Sequence, residues 1–411
     1  MSVEHLVVVG ASLAGLRAVE AARKAGFDGR ITLVGAEEHL PYDRPPLSKA
    51  FLEGDRLDGA PEIPLFRSGE TFRHELDVHL MLGEPATVLD PERKVVCVGQ
   101  REVAYDALVL ATGATARDLP GTQGLDGVHT LRTVDDAVAV RAAFEGGART
   151  VVVGAGFIGS EVAATARKRG LDVTVVETLP TPLQAAVGRT MGEICSSLHT
   201  RNATGLRCGV SVDSVEGRAR VERVVLSDGS VLDADLVVVG IGAAPSTGWL
   251  AGSGLVVDDG IHCDATLWTG VEGVYAAGDV ARWYNPLFGR AMRLEHWTSA
   301  AEQGARAARN ALDPATARSY STVPYFWSDW YGSRIQFVGV ADADELVIVD
   351  ADPDPGSRCV ALYRAGDSVA GAMTINAPTE IMKYRGMIAK KASWRDALSF
   401  AESRRAVAGV S

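Results

Sequence analysis

The stretch VVVGAGFIGSEVAATARKRGLDVTVVE, Val151 to Glu177, decides the fold. It opens on a short β-branched run of the kind a buried parallel strand carries and turns on Gly154, Gly156 and Gly159. Apolar residues at helical spacing follow, and a second apolar strand ends in Glu177. Strand, glycine-rich turn, helix and strand in this order form the dinucleotide-binding unit. The first glycine permits the tight turn, the second lets the backbone approach a pyrophosphate, and the third lets helix and strand pack closely, while the helix N-terminus offers N–H groups to the phosphates. A carboxylate at Glu177 accepts hydrogen bonds from the adenosine ribose and repels a 2′-phosphate. The following TLPTPLQ (Thr178 to Gln184) has no Arg or Lys to welcome that phosphate, so NADH is expected over NADPH.

Upstream, HLVVVGASLAGLRAVEAARKAGFDGRITLVGAEE (His5 to Glu38) repeats the unit with Gly10 and Gly15, Ser12 in place of the middle glycine, and Glu37 as the ribose-binding acid. Two dinucleotide units in one chain imply electron transfer between them, most simply from nicotinamide to flavin. YDALVLATGATAR (Tyr105 to Arg117) gives an apolar strand ending in Thr112 and Gly113, and ADLVVVGIGAAPS (Ala234 to Ser246) repeats it, ending in Gly240 and Gly242. In GVYAAGDVARW (Gly273 to Trp283), Gly278 places Asp279 at a strand end, where a carboxylate suits a ribityl hydroxyl; a turn-capping aspartate is the other reading.

A chain of 411 residues suits two or three domains, and 47% hydrophobic with 23% charged residues describes a soluble globular protein. No apolar run reaches the roughly 18 residues of a membrane span. The N-terminal MSVEHLVVVGASLAG enters a strand with no basic region before it, so no signal peptide is expected. A net charge of −11 argues against nucleic-acid binding. The five scattered cysteines, with no CxxC pair, predict a cytoplasmic protein with no disulfide framework and no metal site, the thiols serving as small buried apolar residues.

Taken with Ala277-Gly278-Asp279 and the two glycine turns, PYDRPPLSK (Pro41 to Lys49), GFIGSEVAA (Gly156 to Ala164) and PYFWSDWYG (Pro324 to Gly332) resemble the NADH-dependent, FAD-containing ferredoxin reductases of oxygenase and cytochrome P450 systems, the putidaredoxin reductase and biphenyl dioxygenase reductase type. The resemblance spans nearly the whole chain. It implies an α/β fold with two Rossmann-like domains, glutathione-reductase-like, plus a C-terminal α/β domain. The FAD domain would be discontinuous, 1–112 and 244–319, with an NADH domain at 113–243 and a C-terminal domain at 320–411. It implies FAD and NADH as cofactors, a ferredoxin as partner and, indirectly, an oxygenase or P450, in a monomer or homodimer. By position, FAD would be held by Ala14, Glu37, Arg44, Lys49, Ala86, Thr112, Gly113, Arg132, Asp279 and Trp297, and NADH by Gly156, Phe157, Ile158, Glu161, Glu177 and Gly242. Two departures stand out: Pro182 and Gln184 occupy a stretch where the family usually has a basic residue, and Trp330 replaces a glutamine. Trp330 is open to two readings, an aromatic beside the flavin or plain core packing.

In HLPYDRPPLSKAFL (His39 to Leu52), Pro45 and Pro46 predict an extended turn before a helix opening near Leu47 or Ser48. Lys49 then falls in the first helical turn, facing the flavin, and needs a counter-charge; Glu161 is the expected partner, and the two are the expected catalytic pair. A surface lysine and a helix-capping glutamate are the alternative. A pyridine-nucleotide disulfide reductase or a cysteine-dependent NADH oxidase needs a thiol here, but Pro41 to Glu53 has none and Cys97 falls on an expected strand. A flavoprotein that senses NADH without turnover also stays open. For docking an acidic ferredoxin, the basic candidates are Arg306, Arg309, Lys383, Arg385, Lys390, Lys391 and Arg395, against the plainer reading of solvated helix faces.

Overall fold

A run of apolar residues with no polar alternation has to be covered on both faces, and this is how the first strand is used. The computed structural model describes residues 3–54, 62–352, 354 and 357–408. The chain divides into two compact units, one of Met1–Asp43, Ile63–Thr115 and Ala244–Thr322, the other of Arg44–Glu62, Ala116–Ala243 and Val323–Ser411.

In the first unit the strand His5–Val9 lies in a five-stranded parallel sheet, in the order Val274–Ala276, Ala107–Leu110, His5–Val9, Arg30–Gly35, Val78–Leu82. Val7 stands opposite both Thr32 and Leu108. Leu6 and Val8 pack under the helices Leu13–Lys24 and Trp297–Leu312, while Val7 and Val9 face a second core with Leu89, Val96, Val98, Ile261 and Ala281. The two helices approach so closely that a Cβ on Gly304 would lie 2.1 Å from the Ala14 carbonyl oxygen.

The second unit repeats the plan. Its parallel sheet runs Gly205–Cys208, Val173–Glu177, Thr150–Val153, Leu236–Val239, Val128–Thr130. Val151, Val153, Val176, Val237 and Val239 share a core with Val221, Val224 and Leu226 of an antiparallel three-stranded sheet. The helix Phe157–Lys168 is the crossover between the first two strands of the motif. The C-terminal part of the unit is a five-stranded antiparallel sheet, Tyr325–Trp330, Ser333–Gly339, Ser368–Ile375, Cys359–Ala365, Glu345–Ala351, followed by the helices Pro378–Ala389 and Trp394–Ala408. The helix Arg189–Arg201 sends Met191, Cys195 and Leu198 into the apolar core of that sheet.

Three expectations change. Pro45 and Pro46 are not in an extended turn: they open a 3-10 turn, Pro45–Ser48, because a proline lacks only an N–H that the first helical positions leave unpaired anyway. Lys49 links that turn to the short helix Ala50–Glu53 rather than lying within it. Of the cysteines, Cys195 and Cys359 are buried, whereas Cys97, Cys208 and Cys263 are half-buried; all five are free, and Cys97 does lie on a strand, Val95–Val98. Trp330 is a fully buried core residue. Among the described residues no helix is long and apolar enough to cross a membrane.

Two glycine substitutions should move stability in opposite directions. Gly304→Ala forces two helices apart and should cost about 2–3 kcal/mol. Gly386→Ala, on an exposed helical site where an added Cβ meets nothing within 4 Å, should stabilise by up to about 1 kcal/mol. Thermal melting of both variants checks the pair.

Candidate functional site

In the first unit the glycine loop is closed from below. A Cβ on Gly10, whose φ is +121°, would lie 2.0 Å from the Ala111 carbonyl oxygen, and one on Gly15 1.9 Å from that of Gly10. The helix Leu13–Lys24 starts at Ser12 without a side-chain capping bond, which leaves its first turn to serve an anion. Glu37 follows the second strand, and its Oε2 accepts a 2.5 Å bond from the Tyr42 hydroxyl, a partner that sequence reasoning missed. Thr112 donates to the Ser246 carbonyl at 3.0 Å, and Gly278 N–H donates to the buried Gln303 side chain at 2.8 Å, which fixes the turn carrying Asp279. Trp297, the first residue of its helix, donates its indole N–H to Asp43 at 2.8 Å. Ala86 begins the strand Ala86–Asp90.

The second loop has the same build. A Cβ on Gly159 would lie 2.0 Å from the Gly154 oxygen, and one on Gly154 2.4 Å from that of Gly240. Gly156, at the helix N-cap, has no atom nearer than 3.9 Å to such a Cβ, and Gly242 none within 4 Å, so the outer side of the loop is open. Phe157 and Ile158 form the first turn of the helix, with Ile158 exposed. Glu177 is half-buried, and its carboxylate accepts from Ala155 N–H at 2.7 Å and Leu179 N–H at 2.9 Å, which ties the acid to the loop and leaves lone pairs for ribose hydroxyls. Uncapped helix starts over glycine cradles, each with a carboxylate at or just past the end of the next strand, are the donor set a dinucleotide takes, and both units fit one.

Lys49 and Glu161 are brought together, both within the second unit. Lys49 Nζ is 2.7 Å from Glu161 Oε2, with the Lys49 side chain 21% exposed and that of Glu161 4%. Ser48 Oγ donates to the same oxygen at 2.5 Å, and Ser328 Oγ donates to Oε1 at 2.5 Å. Trp330 donates its indole N–H to Ser328 at 2.8 Å. A charge this buried is tolerated only when paired and fully hydrogen-bonded, and both oxygens are. The segment bearing Lys49 is held from behind: Thr165 donates to the Ser48 carbonyl at 2.9 Å, Arg141 to that of Phe51 at 2.9 Å, and Arg169 to those of Leu52 and Gly54 at 2.7 and 2.8 Å, while Lys168 pairs with Glu53 at 2.5 Å. Arg44 donates to the Arg132 backbone carbonyl at 2.5 Å, so these two expected FAD-binding residues are joined. Ser48 and Ser328 were missed by sequence reasoning; the only signal was their place inside PPLSK and WSDW.

Beside this cluster His199 is fully buried, with Nδ1 2.7 Å from the Tyr331 hydroxyl and Nε2 3.2 Å from Ser160 Oγ. Tyr331 also meets Thr204 at 2.8 Å. Burial holds His199 down at about 4 and lifts Tyr331 to about 12. Burial likewise raises the thiols of Cys195, Cys208, Cys263 and Cys359, which disfavours thiolate chemistry at each. Of the basic docking candidates, Arg309, Lys383, Lys390, Lys391 and Arg395 are exposed and Arg306 is half-buried. Arg385 is also half-buried, donating to the Val323 carbonyl and lying over the Tyr325 ring.

The chain matches the family described as pyridine nucleotide-disulphide oxidoreductase over residues 4–304, and the one described as reductase C-terminal over residues 325–404. It is 37% identical to rhodocoxin reductase of Rhodococcus erythropolis, over 93% of this chain and 89% of that one. It is 36% identical to the ferredoxin–NAD(+) reductase component of the anthranilate 1,2-dioxygenase system of Burkholderia cepacia, over 95% of both. The fold superposes on the ferredoxin reductase of the CYP199A2 system of Rhodopseudomonas palustris with a TM-score of 0.88 at 33% identity, covering 95% of each chain.

The buried histidine gives the protein a calculable acid limit. The folded chain refuses a proton at His199 down to about pH 4, whereas the unfolded chain takes one near 6.5. Stability from this group is therefore complete above about pH 6.5, falls as the pH drops toward 4, and is flat below; the loss is about 3 kcal/mol. His296, in the first unit, is held at about 4 by burial too and adds to the same fall. The denaturation midpoint of His199→Gln, followed from pH 7 to pH 4, should drop less steeply than that of the parent, because the share of the fall due to His199 is lost.

Proposed function

We infer the role of this chain from the family to which it belongs, the pyridine nucleotide-disulphide oxidoreductases, and within them the ferredoxin–NAD(+) reductases. It is an FAD-dependent NADH:ferredoxin oxidoreductase, and its electrons go to a ferredoxin-type iron–sulfur protein that serves an oxygenase or cytochrome P450. When bound, FAD supplies what side chains lack, taking two electrons from NADH as hydride and releasing them one at a time.

One observation carries the assignment of residues: the helix that opens on the second glycine loop carries Glu161, and Glu161 holds Lys49 in an ion pair that contains no sulfur. In this reading Gly10, Ser12, Ala14, Gly15 and Glu37 bind the FAD pyrophosphate and ribose, Asp279 and Trp297 hold the flavin end, and the Gly154–Gly159 loop with Glu177 binds NADH. Lys49 supplies a fixed positive charge that favours the electron-rich reduced ring, and Glu161 neutralises that charge while keeping the ammonium in place. The division into FAD, NADH and C-terminal domains belongs to the same reading, supported by a reductase C-terminal match confined to residues 325–404. A cytoplasmic setting also belongs to it, supported by five free thiols.

Lys49→Ala should retain FAD but slow its reduction by NADH about tenfold or more in stopped flow, a loss of about 1.4 kcal/mol in barrier terms. Glu161→Gln should slow the same step. Unchanged rates in both variants would sink the assignment.

Coenzyme choice is the second check. Glu177 should favour NADH over NADPH by about a hundredfold or more in kcat/KM, and Glu177→Ala should narrow that ratio. Equal values for the two coenzymes in the parent protein contradict the role given to Glu177.

A further inference from the structure

We propose that Trp330 is a positioning residue for electron entry, fixing Ser328 as a hydrogen-bond donor to Glu161 and thereby aiming the Glu161 carboxylate at Lys49. The proposal rests on the reading that the Lys49–Glu161 pair serves reduction by NADH.

An indole N–H only donates, so the 2.8 Å contact from Trp330 Nε1 makes Ser328 Oγ the acceptor. A serine hydroxyl has a single hydrogen. With its oxygen engaged from one side, that hydrogen goes to the acceptor on the other side, Glu161 Oε1 at 2.5 Å. Ser328 is fully buried, so no solvent competes for it. On strand Tyr325–Trp330 the two residues are two apart and share a face, which is what lets the indole reach the hydroxyl.

The consequence reaches Lys49 through the geometry of a carboxylate. Its terminal torsion is soft, so an oxygen held on one side only is free to swing. Here each oxygen has its own serine: Ser328 holds Oε1, and Ser48 together with Lys49 holds Oε2. Removing the indole N–H releases the Ser328 hydroxyl, then Oε1, and with it the direction in which Oε2 meets the ammonium. Trp330 is itself fully buried in an apolar core, its ring tilted 39° from that of His199 at 5.0 Å.

Trp330→Phe keeps an aromatic ring in the core and deletes the donor, with a packing loss from the smaller ring; Ser328→Ala deletes the relay. In the FAD-loaded full chain, each should slow flavin reduction at saturating NADH by about tenfold, with the apparent Kd for NADH unchanged. The decisive measurement is the double variant. If Trp330 acts through Ser328, Trp330→Phe changes the rate no further in the Ser328→Ala background. A second full rate loss in that background means that Trp330 acts by packing, and the proposal falls. Should Trp330→Phe not fold, an unchanged rate in Ser328→Ala overturns it equally. Lys49→Ala is measured alongside: if it reduces normally, the reading beneath the proposal has failed, and if it is slow while Trp330→Phe and Ser328→Ala are not, the proposal alone has failed.

Discussion

Each unit depends on a main-chain approach closer than any side chain permits. The first turn of each crossover helix sits on the carbonyl of the strand-to-helix loop, at Gly15 over Gly10 and at Gly159 over Gly154, where an added Cβ would be about 2 Å from oxygen. That approach sets the height of the helix above its sheet. It also aims the uncapped N-terminus past the strand ends, so the anion-binding geometry is a by-product of packing and exists without the ligand. In the first unit the same demand is passed on to a third element, because Gly304 lets the long helix Trp297–Leu312 lie against Ala14.

Glu161 is where packing becomes chemistry. A carboxylate buried this deeply is stable only when both oxygens have donors, and these come from Ser48 and Lys49 on Oε2 and from Ser328, more than 160 residues away in sequence, on Oε1. The C-terminal sheet is thereby part of the site's electrostatics in the second unit and not merely an appended layer. Losing one donor leaves the charge less firmly held, so each of the three bears on where the carboxylate points.

The parallel sheets and both glycine loops were legible because they follow from short-range patterns: β-branched runs, glycines at fixed offsets and an acid after the second strand. Lys49 with Glu161 was reachable by chemical need, since a cation near a buried ring wants a counter-charge. The rest of the cluster was not, because a serine carries no periodic or compositional signal and Ser328 matters only through register. The same holds for the His199–Tyr331–Ser160 set, made by segments that meet only in three dimensions, whereas Tyr42 is a near neighbour of Glu37 in sequence and was missed because the irregular turn between them has no periodicity to show which side chains meet. Trp330 was undecided in sequence for the opposite reason: its apolar bulk suits a core, and only its N–H reveals a second use. The prolines were misplaced because their fixed φ serves an extended turn and a 3-10 turn equally well.

Arg44 to Gly54 lies, in chain order, within the sequence of the first unit, yet its contacts assign it to the second, where Thr165, Arg141, Arg169 and Lys168 grip it. Chain order and structural membership therefore disagree for the stretch that bears Lys49. Recombination between relatives that cuts only near residues 115 and 243 would exchange Glu161 while leaving behind the lysine it evolved with. A working chimera has to inherit three separate stretches, Arg44–Glu62, Ala116–Ala243 and Val323–Ser411, as one heritable block.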